Sequence, residues 1–411
     1  MSKLKGALAF GQSGGPSSVI NASACGVIEQ ALKEDCITQV LGLHHGIAGI
    51  LNDEFFDMAA EDPKEIRLLK TTPSSALGTV RKKLKHFEED PDTYERILRA
   101  FRKRNIRYFL YAGGNDSMDT CNKISQYFKN NDYECRVMGV PKTIDNDLDV
   151  TDHCPGYPSA AKFIATSCME IHHDVRAYDK GKVTIVEIMG RNAGWLTAAS
   201  YLSTHFGQGP DRIYVPEVTF DIDRFYDDIS NLYAKQNNCI IAVSEGIKDK
   251  HGKYIAEYSS PCEKDAFNNT QLGGCTSVLS FLVKNNLKIN TRSVEFSLLQ
   301  RCASHLSSKV DIEEAYNAGA EAVKQAVAGK TGFMAGIRRV NSNPYESEIQ
   351  LIPLELVANT EKPLPKEFIT ENGTNIDPSF VDYLLPLIQG EADLPFENGL
   401  PRFAKLKKQR V

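Results

Sequence analysis

The sequence predicts an α/β protein of two domains built around open, mainly parallel β-sheets. The first observation behind this prediction is length, because 411 residues exceed one ordinary domain and suit two. The second is a series of short apolar runs separated by helix-length segments, which is typical of parallel sheets with helical crossovers. The third is that glycines and acidic residues follow several of these runs, at the strand ends where such sheets bind ligands.

The apolar runs have the length of strands that are buried on both faces of a sheet. Neither an internal repeat nor a linker of biased composition divides the chain, so composition alone does not show where a domain ends. The predicted strands are, in chain order, Leu8–Phe10, Arg107–Tyr111, Val137–Val140, Val183–Ile188, Arg212–Val215, Cys239–Val243 and Glu348–Val357.

Charge and cysteine usage exclude several classes of protein. The net charge of −5 argues against nucleic acid or a membrane as partner, because proteins that bind them need a basic excess. No stretch approaches the roughly 20 apolar residues of a membrane helix. The ten cysteines stand singly, without the spacing of a zinc site, which favours a reducing, cytoplasmic location. The tail 405–410 holds four cations among six residues, and we expect it to be solvated.

A glycine-rich turn, GQSGGPSSVINAS, follows the first predicted strand. Gly11, Gly14 and Gly15 would let the backbone turn tightly beside a ligand, and the N-terminus of the helix that follows attracts phosphate. Such turns also serve helix–strand packing alone, so both interpretations stay open. The turn is neither a Walker lysine loop nor a GxGxxG fingerprint, which disfavours nucleoside triphosphatases and NAD-dependent oxidoreductases.

Two further strand ends carry side chains with oxygen atoms. AGGNDSMDT places Asn115 and Asp116 where they either bind Mg²⁺ beside a phosphate or cap the next helix. PKTIDNDLDVTD crowds Asp145 and Asp147 near Lys142. Carboxylates near a cation suit metal or general-base chemistry, but a polar turn held by Asx hydrogen bonds explains the same pattern.

Later strand ends add charged side chains. Arg191 in MGRNAGW suits either bidentate phosphate recognition or a structural salt bridge, and Glu245 follows the next strand in the same way. Arg292 and Arg301 flank SVEFSLLQ. One such residue means little, but several of them at strand ends predict a phosphoryl-transfer site.

In this order and spacing, the motifs GGPSSVIN, GGNDS, PKTIDND, MGRNAGW and SEG resemble the phosphofructokinase superfamily, and within it the pyrophosphate-dependent branch. The resemblance runs from about Gly11 to Arg301. It implies two Rossmann-like, three-layer domains with the active site in the cleft between them. It also implies a phosphoryl-donor domain of 1–155 with about 301–360, and a sugar-phosphate domain of 156–300 with 361–411.

The same resemblance implies an Mg²⁺-dependent phosphotransferase of glycolysis or gluconeogenesis. The enzyme would transfer a phosphoryl group reversibly from pyrophosphate to the 1-hydroxyl of fructose 6-phosphate. Asp145 corresponds to the catalytic base, while Lys142 and Arg81 correspond to cations at the transferring group. The metal would lie at Asn115 and Asp116.

Substrate contacts carry over from the family motifs position by position. Glu245 corresponds to the acid that holds sugar hydroxyls, and Arg292 and Arg301 correspond to cations that hold the 6-phosphate. The resemblance implies that Arg292 reaches in from a neighbouring subunit, so we expect a homodimer or homotetramer with shared active sites. The implied substrate-binding set is Gly14, Thr143, Asp147, Lys182, Met189, Gly190, Arg191, Glu245, Arg292 and Arg301.

Two positions are expected to decide the phosphoryl donor. ATP-dependent relatives typically have glycine where this chain has Asp116 and Lys142. Lys142 adds a cation for a donor that has no adenosine to bind, and Asp116 adds bulk and negative charge where the ATP α-phosphate would lie. At an effective dielectric near 20, two unit charges ~4 Å apart interact by about 4 kcal/mol, which suffices for a roughly thousandfold preference.

Three positions depart from the ATP-dependent pattern. Asn115 replaces a metal-binding aspartate, Leu298 a phosphate-binding histidine and Lys182 an arginine. The Leu298 and Lys182 departures predict a 6-phosphate pocket of different construction, and Asn115 predicts a weaker protein ligand for Mg²⁺. The alternatives are an ATP-dependent 6-phosphofructokinase, which would differ at the two donor positions, and a non-catalytic regulatory subunit of the same fold, which the retained acidic residues disfavour.

Overall fold

The computed structural model describes residues 3–258 and 272–411, so that Cys262 lies outside the described residues. In the described part of the chain no helix is long and apolar enough to cross a membrane. The strands are β1 (Gly6–Gln12), β2 (Ile37–Leu43), β3 (Phe55–Asp57), β4 (Ile106–Gly113), β5 (Arg136–Pro141), β6 (Val183–Ile188), β7 (Arg212–Tyr214), β8 (Cys239–Ser244), β9 (Thr291–Glu295), β10 (Phe333–Ser342), β11 (Tyr345–Pro353), β12 (Phe396–Glu397) and β13 (Leu400–Pro401). The α-helices are α1 (Ile20–Ala31), α2 (Ile47–Asn52), α3 (Pro63–Leu68), α4 (Pro91–Lys103), α5 (Asn115–Asn130), α6 (Tyr157–Arg176), α7 (Trp195–Ala199), α8 (Tyr201–His205), α9 (Ile222–Gln236), α10 (Cys275–Asn286), α11 (Leu299–Cys302), α12 (Lys309–Val327) and α13 (Phe380–Leu384).

The chain forms two units, each with its own sheet. Unit 1 contains the described residues of Met1–Ser159, Arg301–Glu361 and Gly390–Val411, and unit 2 contains those of Ala160–Gln300 and Lys362–Gln389. The predicted α/β class with mainly parallel sheets is confirmed.

Unit 1 is built on a seven-stranded sheet in the order β11-β10-β5-β4-β1-β2-β3. Its pairs are parallel except for β10 with β11 and β2 with β3. The chain runs from β1 to β2 on one side and then returns to β4 on the other side of β1. Open α/β sheets bind ligands at the carboxyl ends of strands beside such a reversal, so the ends of β1 and β4 are the expected site.

Alternate side chains of β1 pack on opposite faces of the sheet. Ala7 and Ala9 belong to a buried cluster with α4 and α5, whereas Leu8 and Phe10 belong to a cluster with α1 and α12. Unit 1 therefore has three layers, with the sheet between two pairs of helices.

Unit 2 is built on a four-stranded parallel sheet in the order β7-β8-β6-β9. Val183 and Ile185 of β6 pack in a buried cluster with residues of α9 and α10. Ile188 and Ser244 stand opposite each other in register, so the carboxyl ends of β6 and β8 meet at one edge.

Six strands of the described residues, β2, β3, β9, β10, β12 and β13, have no counterpart among the predicted apolar runs. β3 and β9 lie at the edges of their sheets. β3 has only three residues, and no residue of β9 is fully buried. An edge strand is covered less completely than a central one, so its sequence lacks the continuous apolar run that marks a central parallel strand.

The carboxyl-terminal residues 390–411 belong to unit 1, although the sequence placed them with the sugar-phosphate domain. The two carboxylate oxygens of Glu61 accept the backbone N–H groups of Lys407 and Lys408, each at 2.7 Å. The Gln409 carbonyl accepts a backbone N–H of β3 at 2.9 Å. The tail backbone thus covers an edge strand that would otherwise expose unpaired groups, while five of the six residues 405–410 are exposed, as expected of a solvated end.

Candidate active site

The turn after β1 brings its glycines against basic side chains. Gly14 has a φ of 76°, and a Cβ at this position would lie 3.2 Å from Lys142 Nζ. A Cβ on Gly15 would lie 3.0 Å from Arg301 Nη1 and 3.8 Å from Arg81 Nη2. The absence of side chains therefore leaves a cradle lined by three cationic groups, which suits phosphate oxygens.

Segment 72–81, which carries Arg81, is held in place by two buried amide side chains. Gln12 Oε1 accepts the N–H of Leu77 at 3.0 Å. Asn21 donates to two backbone carbonyls of the segment and accepts one of its N–H groups. Both amide side chains are fully buried, so this segment has a fixed position beside the glycine turn.

Asn115 and Asp116 begin α5 but do not cap it. The cap residue is Gly114 and makes no side-chain cap hydrogen bond, so the capping interpretation was wrong. Asp116 Oδ1 lies 2.9 Å from Lys83 Nζ, which compensates its negative charge. Asn115 Nδ2 donates to Asp147 Oδ2 at 3.4 Å. The Oδ1 atoms of Asn115 and Asp147 are buried and have no hydrogen-bond partner among the described residues.

The PKTIDND motif forms a tight polar turn after β5. Thr143 Oγ1 accepts the N–H of Asp145 at 3.1 Å. Asn146 has a φ of 56°, and its buried Oδ1 accepts the N–H of Cys154 at 2.9 Å. The polar-turn interpretation is therefore correct for Thr143 and Asn146, and the same turn holds the Asp145 and Asp147 side chains half-buried beside each other.

Lys142 lies beneath the glycine turn and is only 4% exposed. Its Nζ donates to the Gly15 carbonyl at 2.7 Å. Burial lowers the pKa of Lys142 to about 8; the Asp145 carboxylate opposes this shift, and the nearby Arg81 and Arg301 guanidinium groups reinforce it. An anion bound at the turn would relieve this crowding of positive charge.

A buried histidine anchors the far end of the same loop. His153 is 0% exposed and lies between two carboxylates, at 2.8 Å from Asp152 and 2.7 Å from Glu314. Burial alone would lower the pKa of His153, but the Glu314 and Asp152 carboxylates raise it to about 9. Arg339 completes the network with a bond of 3.1 Å to Asp152. The loop that carries Asp145 is therefore tied to α12 and β10.

The His153 network predicts a pH dependence of stability. The folded pKa of about 9 exceeds the usual value near 6.5, so the contribution is complete below about pH 6.5 and lost as the pH rises through 9. We expect this loss to reach up to about 3 kcal/mol, measured as a falling thermal midpoint of unfolding. The His153→Gln variant should have a lower thermal midpoint at neutral pH, and its midpoint should vary less with pH. If the midpoint of this variant changed with pH as that of the wild type does, the assignment to His153 would be contradicted.

In unit 2, two turns meet at the carboxyl ends of β6 and β8. Gly190 has a φ of 127°, donates its N–H to Glu245 Oε1 at 3.4 Å and accepts a bond of 2.7 Å from Ser244 Oγ. Arg191 Nε is buried and has no hydrogen-bond partner among the described residues. The predicted residues Met189, Gly190, Arg191 and Glu245 are thus brought together, and an unpaired guanidinium N–H is available to a ligand.

Of the cations predicted to bind substrate, Lys182, Arg292 and Arg301 do not join these turns. Arg292 pairs in register with Thr184 near the start of β6, and Lys182 directly precedes that strand. Both cations therefore lie at the amino end of the sheet. The length of β6 separates them from the turns at its carboxyl end, which is roughly 13 Å at ~3.3 Å per residue. Arg292 Nη1 contacts Asp174 Oδ2 at 2.6 Å. Arg301 belongs to unit 1 and lies at the glycine turn.

The sequence does not reveal several residues that build the site, namely Gln12, Asn21, Lys83 and His153. Each contacts a partner distant in sequence, such as Glu314 for His153 at a separation of 161 residues. The only signal was the basic run RKKLK that contains Lys83. A basic run usually marks a solvated surface, so it did not single out one lysine.

Comparisons with known proteins show the family to which the chain belongs. The model of the family described as Phosphofructokinase matches residues 7–326. A pyrophosphate–fructose 6-phosphate 1-phosphotransferase of Halomonas elongata is 42% identical over 98% of this chain and 96% of that protein, and one of Xanthomonas campestris pv. campestris is 42% identical over 99% and 97%. The crystal structure of a pyrophosphate-dependent phosphofructokinase from Marinobacter aquaeolei is 39% identical, covers 98% of this chain and 97% of that chain, and has a TM-score of 0.88. Similarity of this extent, from one end of the chain to the other, shows that the chain belongs to the phosphofructokinase family.

Proposed function

We propose that the chain transfers a phosphoryl group reversibly from pyrophosphate to the 1-hydroxyl of fructose 6-phosphate, forming fructose 1,6-bisphosphate and phosphate. The observation that carries this proposal is the convergence of Arg81, Lys142 and Arg301 on the side-chain-free turn at Gly14 and Gly15. Three cations at one turn suit a small, highly charged donor that must bind through its oxygens alone. The names of the similar enzymes from Halomonas elongata and Xanthomonas campestris give the same donor and acceptor.

In the proposed reaction, the polypeptide positions the acceptor and compensates charge. Asp145 accepts the proton of the 1-hydroxyl, and its backbone is fixed by the Thr143 hydroxyl. Lys142 and Arg81 stabilise the charge on the transferring group. Phosphoryl transfer depends mainly on such positioning and electrostatics, so a rigid turn bearing the base is what the chemistry requires.

The residues present fit a magnesium ion. The buried Oδ1 atoms of Asn115 and Asp147 lack hydrogen-bond partners among the described residues. Burial, and then the Asp145 and Glu361 carboxylates, raise the pKa of the Asp147 carboxyl, as expected where negative charge lacks a cation. No three His, Cys, Asp or Glu side chains in the described ranges gather to hold a metal, but Mg²⁺ needs only one or two protein oxygens besides water and phosphate. When bound, the ion would neutralise donor charge. Asp116 already pairs with a lysine, so we assign the ion to the other two residues.

For the acceptor, we assign sugar-phosphate binding to unit 2 and donor binding to unit 1. Arg191 and Glu245 are suitable partners for phosphate oxygens and sugar hydroxyls, respectively. Lys182 and Arg292 lie at the opposite end of their sheet. We therefore propose that these two cations serve the site of a second subunit, in a homodimer or homotetramer that shares active sites. We place the enzyme in the cytoplasm on the basis of its single, unclustered cysteines.

Initial rates with two donors and two acceptors test the proposed function. With Mg²⁺, we expect turnover with pyrophosphate and fructose 6-phosphate, and a rate with ATP below about 1% of it, which corresponds to a difference of about 3 kcal/mol. Sedoheptulose 7-phosphate serves as the second acceptor. A higher rate with ATP than with pyrophosphate would contradict the proposed donor. A higher rate with sedoheptulose 7-phosphate than with fructose 6-phosphate would contradict the proposed acceptor.

Pyrophosphate binding is expected to weaken above about pH 8. The Lys142 ammonium is present below that pH and is lost above it, because its pKa is lowered to about 8. The KM for pyrophosphate should be constant below pH 8 and rise by up to about tenfold per pH unit above it. Lys142→Arg is the matched control because a guanidinium does not titrate in this range. An equal rise of KM in both proteins would show that Lys142 is not responsible.

A further inference from the structure

The ammonium group of Lys83 lies beside Asp116, one of the two positions expected to decide the phosphoryl donor. Lys83 Nζ lies 2.9 Å from Asp116 Oδ1, and also 3.4 Å from Asn359 Oδ1. Asp116 stands in the first turn of α5, directly after the loop at Gly113 whose carbonyl accepts the Lys142 N–H at 3.0 Å. The two donor positions are therefore joined through the backbone, and one of them has a partner that the motifs did not indicate.

A polar network limits the movement of Lys83. Asn359 Nδ2 donates to Asp119 Oδ1 at 3.0 Å. Lys123 Nζ contacts Asp119 Oδ2 at 2.6 Å and donates to the carbonyl of Leu84 at 2.9 Å. The backbone next to Lys83 and the amide that its ammonium contacts are thus both tied to α5. The Lys83 side chain is directed at Asp116 by its surroundings.

The Lys83–Asp116 pair matters for the charge that a donor meets more than for the stability of the fold. Its side chains are 47% and 34% exposed, and ion pairs of such exposure contribute little to folding. A carboxylate without a partner would, however, repel pyrophosphate as well as a nucleotide, since both are polyanions. A carboxylate paired with an ammonium has almost no net charge, yet it still fills space where Gly would leave room.

We propose that Lys83 is a specificity-determining residue that holds and neutralises Asp116, so that the pair excludes a nucleotide donor by bulk without repelling pyrophosphate. This inference rests on the proposed function. It keeps the bulk of Asp116 that the sequence suggested, and it removes the charge repulsion because Lys83 compensates the carboxylate. Lys83 acts through Asp116 and is a positioning residue with respect to the donor.

The first test is Lys83→Met in the full-length protein, assayed with saturating fructose 6-phosphate. We expect the KM for pyrophosphate to rise about tenfold, the scale of one uncompensated charge at a partly exposed site, while the KM for the sugar stays within about twofold. Lys83→Arg should restore the KM. Lys82→Met is the matched control, because it removes the same charge from an exposed neighbouring position. An equal effect in the control would overturn the proposal.

The second test is a double-mutant cycle of Lys83→Met with Asp116→Asn. If Lys83 acts through Asp116, removing it should change the KM for pyrophosphate less than about twofold once the carboxylate is gone. Additive effects of the two changes on the KM for pyrophosphate would show that Lys83 acts on the donor directly and would overturn the proposal. The proposal would also be overturned if Lys83→Met lowered thermal stability and sugar binding as much as it weakened pyrophosphate binding. The wild-type rate is measured first: no turnover of pyrophosphate contradicts the proposed function, whereas normal turnover with additive effects contradicts only the role of Lys83.

Discussion

Replacement of Asp145 by asparagine is expected to lower kcat by about 1,000-fold, the range that a positioned general base contributes. The asparagine side chain has the same shape but cannot accept the proton of the 1-hydroxyl. The hydrogen bond from the residue-145 N–H to Thr143 Oγ1 involves the backbone and should survive. We therefore expect the KM values for both substrates to change by less than about threefold, because the interaction is used mainly in the transition state.

The control for this experiment is Asp149→Asn, an exposed carboxylate on the same loop. It should retain nearly full kcat, which separates loss of the base from general loss of negative charge. Steady-state kinetics in both directions of the reaction provide the measurement, since one group must serve as base in one direction and acid in the other. If Asp145→Asn kept a kcat near that of the wild type, Asp145 would have no place in proton transfer.

The double change Asp116→Gly with Lys142→Gly is expected to lower kcat/KM for pyrophosphate by at least about 100-fold, since a charge-assisted contact of about 3 kcal/mol is lost. Lys142 supplies one of the three cations at the glycine turn and bonds to the Gly15 carbonyl. Its removal takes away both charge and support. Removal of the Asp116 side chain opens space beside α5, so ATP turnover should become measurable.

The matched control for the donor experiment is Lys82→Gly with Asp149→Gly, which removes the same two charges from exposed positions. Rates with pyrophosphate and ATP are compared for the wild type, both double variants and the two donor-site single variants. The control should keep the wild-type preference. An undiminished preference for pyrophosphate in the Asp116→Gly, Lys142→Gly protein would show that donor choice lies elsewhere.

Much of the central fold could be predicted because buried parallel strands carry their signal locally. Val183–Ile188 was predicted with the bounds that the structure shows, and Leu8–Phe10 and Cys239–Val243 lie within observed strands. The short edge strand β3 and the docked tail could not be predicted in this way. Their positions depend on backbone hydrogen bonds to distant residues, as between Glu61 and the N–H groups of residues 407 and 408.

For the candidate site, the motifs identified the side chains but not all of their partners. Gly14, Lys142 and Asp145 are close together, because they follow β1 and β5 at the edge where the parallel strands of unit 1 end. Arg301 was expected at the sugar phosphate, and its proximity to Gly15 of the glycine turn was not predicted. Asp116 was expected to contribute bulk and negative charge, and Lys83 compensates the charge.

The sequence by itself determined the α/β class, the central parallel strands and the phosphate-suited turns that follow them. These features are local, since the residues that form each strand or turn are neighbours in the chain. Only the tertiary structure decided which charges meet: Lys83 with Asp116, His153 with Glu314, and three cations at one glycine turn. Electrostatic energy depends on distance in space and on burial, and neither quantity can be read from separation along the chain.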